Sequence, residues 1–119
     1  MQNENNKTPE EWENDKKKIK NILSKYTELN KLEEYLEAHG YQYDRVDHNF
    51  GYAERHQIIV YEKHRYKWDA ICHFGSYGNE QYLLEVMGCI VPKFQDVMGW
   101  LTADDIIYRL EHGEWKTTR

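Results

Sequence analysis

No stretch of this chain is apolar for anything near the ~20 residues that a membrane-spanning helix needs. Its first residues, Met1 to Lys7, hold no apolar core of the kind a secretory signal carries. No membrane partner is therefore expected, and the cytoplasm is the expected compartment. Cysteine is scarce: Cys72 and Cys89 form no CxxC pair, so no disulfide framework is expected and both should be free, buried thiols. Only two prolines occur, Pro9 and Pro92, with no repeat and no low-complexity linker, which leaves one domain as the economical reading. Cationic excess is also missing. The formal charge is −5, and the single basic run, Lys16-Lys17-Lys18, lies close to Glu13, Asp15 and Glu28. A phosphate backbone needs a concentrated cationic footprint, so direct nucleic-acid binding is not expected.

Aromatics are abundant by contrast. Ten Tyr, four Trp and three Phe outweigh a modest aliphatic content, so rings must fill much of the core, and some must reach the surface as a contact patch. Residues 1–7 are polar and expected to be a disordered tail. Thr8-Pro9-Glu10-Glu11 has the form of a helix start, and Trp12, Ile19, Ile22, Leu23 and Tyr26 follow at helical spacing. Asn30 with Glu33 offers a second start, and Gly40 a stop, so 8–39 reads as one helix or two. The period then falls to two. Tyr41, Tyr43 and Arg45 alternate with Gln42, Asp44 and Val46; Gln57 to Tyr61 is the strongest strand; and Tyr66, Trp68, Ala70, Cys72 and Phe74 share one face of a third. Short links favour an antiparallel meander.

Gly75-Ser76-Tyr77-Gly78 breaks the third strand. Tyr82, Leu83, Val86 and Met87 then stand at helical spacing before Gly88, and Thr102 with Asp105 opens a last helix that ends at Gly113. The expected fold is α+β: an N-terminal helix or helix pair (8–39), a three-stranded antiparallel meander (40–75) and two C-terminal helices (76–115), all in a single domain over 8–115.

Chemistry-bearing patterns are thin. The six histidines make no HxxxH, so the common local zinc signatures are absent. His48, Asp69 and His73 are the candidate metal ligands if the strand register gathers them. No cofactor is expected, and a structural zinc stays open. Ser76 lacks the G-x-S-x-G spacing, and Cys72 falls on an aromatic strand face where a thiol is inert. The GSYGN turn lacks the lysine and the glycine spacing of a P-loop, so its glycines serve a tight reversal.

The segment Trp68-Asp69-Ala70-Ile71-Cys72-His73, then Ser76-Tyr77-Gly78 with Glu80, Leu83-Leu84-Glu85, and late Trp100-Leu101-Thr102-Ala103 with Asp105 and Ile106 resembles small uncharacterised proteins of phages and prophages of Gram-positive bacteria. The resemblance covers residues 58–110. It implies a mobile-element origin and a life inside a bacterial host cell, and it brings no catalytic residues. Small acidic phage products often bind a host protein, and anti-CRISPR inhibitors are one such group, an analogy of kind. The expected function is thus non-enzymatic: binding and modulating a host or phage protein, with a nucleic-acid-binding Cas effector as the example. The candidate contact residues are Tyr41, Tyr43, Asp44, Asp47, Tyr52, Glu54 and Tyr61. The alternative is a metal-binding protein or small metal-dependent enzyme built on His48, Asp69, His73 and Glu80.

Overall fold

The structure, a computed structural model, describes residues 25–48, 54–73 and 75–117. The expected polar tail, the helix start at Thr8, the lysine run, Tyr52 and Phe74 lie outside those residues. Helix α1 spans Thr27–Ala38. Leu29, Leu32 and Leu36 recur three and four residues apart, which puts them on one stripe, and all three are fully buried. The helix is already running at Thr27, so Asn30 lies in its interior and starts no second helix. Gly40 stops it in a left-handed conformation. Tyr41 N–H donates to Leu36 O and Gly40 N–H to Glu37 O, the paired bonds of a Schellman motif.

Five strands follow in one sheet: β1 (Gln42–His48), β2 (Arg55–Glu62), β3 (Arg65–Ile71), β4 (Leu84–Gly88) and β5 (Val97–Leu101). Every neighbouring pair is antiparallel and the strand order is the chain order. The α+β class and the meander are as the sequence implies, but the meander has five strands, and a single helix follows it. That helix, α2, spans Ala103–His112. Thr102 caps it in a complete capping box with Asp105, and Gly113 ends it in the left-handed region.

The expected helix before Gly88 is corrected. Only a three-residue 3-10 turn, Asn79–Gln81, forms there, and Tyr82 closes it with φ 58°. Beyond it Leu84 and Val86, two apart, are fully buried, whereas Tyr82 and Met87 from the supposed helical stripe are 41% and 47% exposed. Two partners decide the matter, since β4 pairs with β3 on one side and with β5 on the other. Gly88 is essential to that packing. It sits opposite Trp68 with φ 112°, and a Cβ there would lie 2.6 Å from Trp68 Cα.

The core lies on one face of the sheet. Ile58, Val60, Trp68, Ala70, Leu84, Val86 and Leu101 turn toward Leu29, Leu32 and Leu36 of α1 and toward Ala103 and Ile106 of α2. The helices also clasp each other. The Glu28 carboxylate accepts the Ala103 N–H at 2.7 Å, adding an α1 side chain to the α2 cap, and Lys31 pairs with Asp104 at 2.9 Å. Trp68, Ala70 and Cys72 face inward as their alternation requires. Tyr66 does not. The β2–β3 register slips between Val60 and Tyr61, which turns Tyr66 to the opposite face at 50% exposure.

The β2–β3 hairpin turns on Lys63 and His64, both with positive φ (52° and 65°), although neither is a glycine. Gln42 on β1 holds that turn: its Oε1 accepts the His64 N–H at 3.0 Å, and its Nε2 lies 2.8 Å from His64 Nδ1. Two-residue hairpins of this hand favour Asn-Gly. Replacing Lys63→Asn together with His64→Gly is expected to raise stability by about 1 kcal/mol in urea denaturation. Gly88→Ala is expected to lower it by ~1–3 kcal/mol through the clash with Trp68. Equal midpoints for the three proteins would contradict both assignments.

Candidate functional site

Strand alternation places three polar residues of β1, Tyr43, Arg45 and Asp47, on the same face as the hydrophobic core, because residues two apart share a face. The Arg45 guanidinium lies between two carboxylates. Its Nη1 is 3.0 Å from Glu33 Oε1 on α1, and its Nε is 3.0 Å from Asp47 Oδ2. Tyr43 Oη donates to the other Glu33 oxygen at 3.1 Å. Asp47 Oδ1 in turn lies 2.7 Å from Nδ1 of His56, its register partner on β2. His56 is fully buried and Tyr26 stacks on its ring at 3.9 Å. With Nδ1–H donating to Asp47, Nε2 is left as a buried acceptor, and it has no hydrogen-bond partner.

A histidine oriented by a carboxylate with a bare Nε2 has the form of a general base. Its surroundings deny it that role, since a fully buried imidazole beneath Tyr26 offers no route to a substrate. Cys72, just past the end of β3 and donating its N–H to His56 O at 2.9 Å, is equally withheld. Burial first and the Glu54 charge second push its thiol up to about 11, the reverse of what a nucleophile requires. Ser76 is spent within its turn, its hydroxyl donating to His73 O at 2.7 Å and accepting His73 N–H at 3.0 Å. The GSYGN turn opens no helix beyond three residues, so no helix dipole stands behind it.

The candidate metal ligands do not gather. Asp69, 9% exposed, accepts from Tyr66 Oη and, at 2.9 Å, from Gln57 Nε2 on the outer sheet face. His73 Nδ1 faces the His56 backbone N–H at 3.3 Å. His48 closes β1, two strands from Asp69 and four residues, ~13 Å, further along the strand direction. Among the described residues no group of three or more His, Cys, Asp and Glu is placed to hold a metal ion.

The candidate contact residues divide between two faces. Tyr43 and Asp47 belong to the inner ionic chain. Tyr41 is half-buried against the core, near Tyr35, and Glu54 is half-buried just before β2. Asp44 and Tyr61 lie on the outer face, where Tyr61 Oη donates to Asp44 Oδ2 at 3.0 Å. That bond, with lesser help from burial, raises the Tyr61 phenol above its ordinary range. Around them run half-buried Val46, Ile59, Ile71 and Val97, exposed Tyr66 and Met87, and the buried Asp69. Neither described helix crosses this face, since both pack on the core side.

Sequence reasoning passed over His56, Arg45, Glu33 and Tyr66. The signal for the first three was present in β1, where Arg45 and Asp47 fall in the core-facing phase of the alternation. Cys89, expected to be buried, is exposed, and both cysteines are free. Among the described residues no helix is long and apolar enough to cross a membrane.

The buried hydroxyls and thiol make stability fall in alkali. Burial and Glu54 push Tyr26 up to about 12, and burial with Glu37 and Glu33 does the same for Tyr43. Folding therefore favours the protonated forms, whose contribution is complete below the unfolded values, 9.0 for Cys72 and 10.0 for the tyrosines. It is lost as pH rises through about 11 and about 12. Thermal melts across that window should show the midpoint falling, and a flat profile would contradict the assignment. Iodoacetamide on the folded protein should label Cys89 and spare Cys72.

Comparison with protein-family models, with curated proteins and with solved structures finds no match to this chain.

Proposed function

We propose that this chain is a non-enzymatic binding protein that engages a protein partner through the outer face of its sheet. The observation that carries the reading is that face, which neither described helix covers. It sets the Tyr61–Asp44 pair and the exposed side chains of Tyr66 and Met87 beside half-buried aliphatics, with both described helices on the far side. Tyrosines that are apolar in the ring and polar at the tip, beside carboxylates, suit a wet interface with a basic partner. The inaccessibility of His56, Cys72 and Ser76 supports the same reading from the side of chemistry.

On the resemblance to phage and prophage proteins, the partner is a host or phage protein met in the bacterial cytoplasm. A nucleic-acid-binding effector such as a Cas protein is the example that fits the chain's charge of −5. An inhibitor of this kind occupies a basic surface stoichiometrically.

The test is capture of the partner from a Gram-positive host, then titration with the purified partner. Saturation at a fixed ratio without turnover is expected. Asp44→Lys should slow association several-fold at low salt and leave the circular dichroism unchanged, because Asp44 is exposed and its bond among the described residues is to the Tyr61 hydroxyl. Asp47 is unsuitable for the same reversal, since it holds Arg45 and His56. Consumption or modification of the partner by substoichiometric protein would overturn the proposal.

A further inference from the structure

Two segments far apart in the chain, Ser76-Tyr77-Gly78 and Trp100-Leu101-Thr102, meet in space. The Tyr77 and Trp100 rings stack with centroids 5.2 Å apart and planes inclined by 30°. Each is more than half exposed, at 53% and 56%, so the pair adds little to the core. Yet its position is tightly held. Trp100 N–H donates to Tyr77 O at 3.2 Å, and Tyr77 N–H donates to the carboxylate of Glu85, itself 8% exposed, at 3.0 Å. A Cβ on Gly99 would lie 2.3 Å from Tyr77 Cβ, so only glycine lets the tyrosine lie there. Trp100 has φ 55°, a left-handed conformation that a bulky side chain avoids. A strained backbone that presents an exposed ring has no packing explanation, and such outliers cluster at functional sites.

Beside the two rings lies a cleft of about 470 Å³, walled on its other side by Asn79, Glu80 and Gln81. Among the described residues that line it, Glu80 is the only charged one. Two ring faces, one carboxylate and two amides form an anionic, aromatic receptor on an acidic chain. A planar guanidinium fits that chemistry better than an ammonium ion does, because it stacks on a ring while forking its N–H groups to a carboxylate.

We infer that this cleft receives an arginine side chain of the protein partner, stacked on Trp100 and Tyr77 and paired with Glu80. The source of the arginine rests on the binding role proposed above, whereas none of the described residues that line the cleft belongs to the Tyr61–Asp44 pair. Trp100 is then an interface anchor, a role in which Trp and Arg are both enriched.

The test uses the full ¹⁵N-labelled chain, with the Trp100 indole N–H resonance identified by its loss in Trp100→Phe. The probe is a short Gly-Ser peptide carrying one arginine, set against the same peptide with neutral citrulline. The arginine peptide is expected to shift the Trp100 indole saturably and the citrulline peptide to leave it in place. Glu80→Gln, which alters an exposed side chain, should weaken binding by about fivefold or more. Trp100→Gly should abolish binding while keeping or raising the melting temperature, since glycine accepts the positive φ. Equal responses to both peptides, no saturable shift with arginine, or a shift that Glu80→Gln leaves intact would each overturn the inference. Any such failure leaves the Asp44 kinetics standing, so the two readings fail separately.

Discussion

The Arg45 guanidinium is the point on which the inner face depends. A cation facing a hydrophobic core is costly unless it is paired, and here Glu33 on α1 and Asp47 on β1 take it from two sides. Asp47 could not serve Arg45 alone, and its second oxygen fixes the His56 ring, which in turn supports Tyr26 ahead of α1. One side chain thus joins the first helix, the edge strand and its neighbour by directional bonds, where hydrophobic contact alone would tolerate sliding. Loss of either carboxylate would leave the largely buried guanidinium with one partner in place of two. The aliphatic core supplies bulk, and this chain of charges selects one register.

The two faces of the sheet have accordingly divided the polar residues by function. Those turned inward are paired or sealed, and two of their buried nitrogens, Arg45 Nε and His56 Nε2, make no hydrogen bond. Those turned outward are bonded in pairs, Tyr61 with Asp44 and Tyr66 with Asp69, which holds tyrosine side chains in place before any partner arrives. Side chains ordered in advance lose less freedom on association, which favours the binding role proposed for this face.

Much of the fold was legible because its signals are local. The Thr102–Asp105 box, the Gly40 and Gly113 stops and the inward phase of Trp68, Ala70 and Cys72 each depend on a few adjacent residues. The segment from Tyr82 to Met87 was not legible, because Leu84 and Val86 at spacing two are interleaved with Leu83, Val86 and Met87 at helical spacing. Only the remote strands β3 and β5 choose between the patterns. The site was hidden for the same reason. Asp47 meets His56 through the β1–β2 register, and Tyr66 changes face through a one-residue slip whose cause lies in neither neighbour alone. Pairing across distance carries no mark in either partner's own sequence.

The bond from Glu28 to Ala103 spans 75 positions of the chain. Of the described elements α1 emerges first on a ribosome, and its leucine stripe has nothing complete to rest against until α2 has been made. The meander can form stepwise, each hairpin closing on the last, but its core face stays bare through most of synthesis. Of the described elements α2 is the last to appear, and it closes a half-built interior. A chain truncated before α2 would emerge with α1 unclasped and a sticky sheet, the state in which chaperones or proteases intervene.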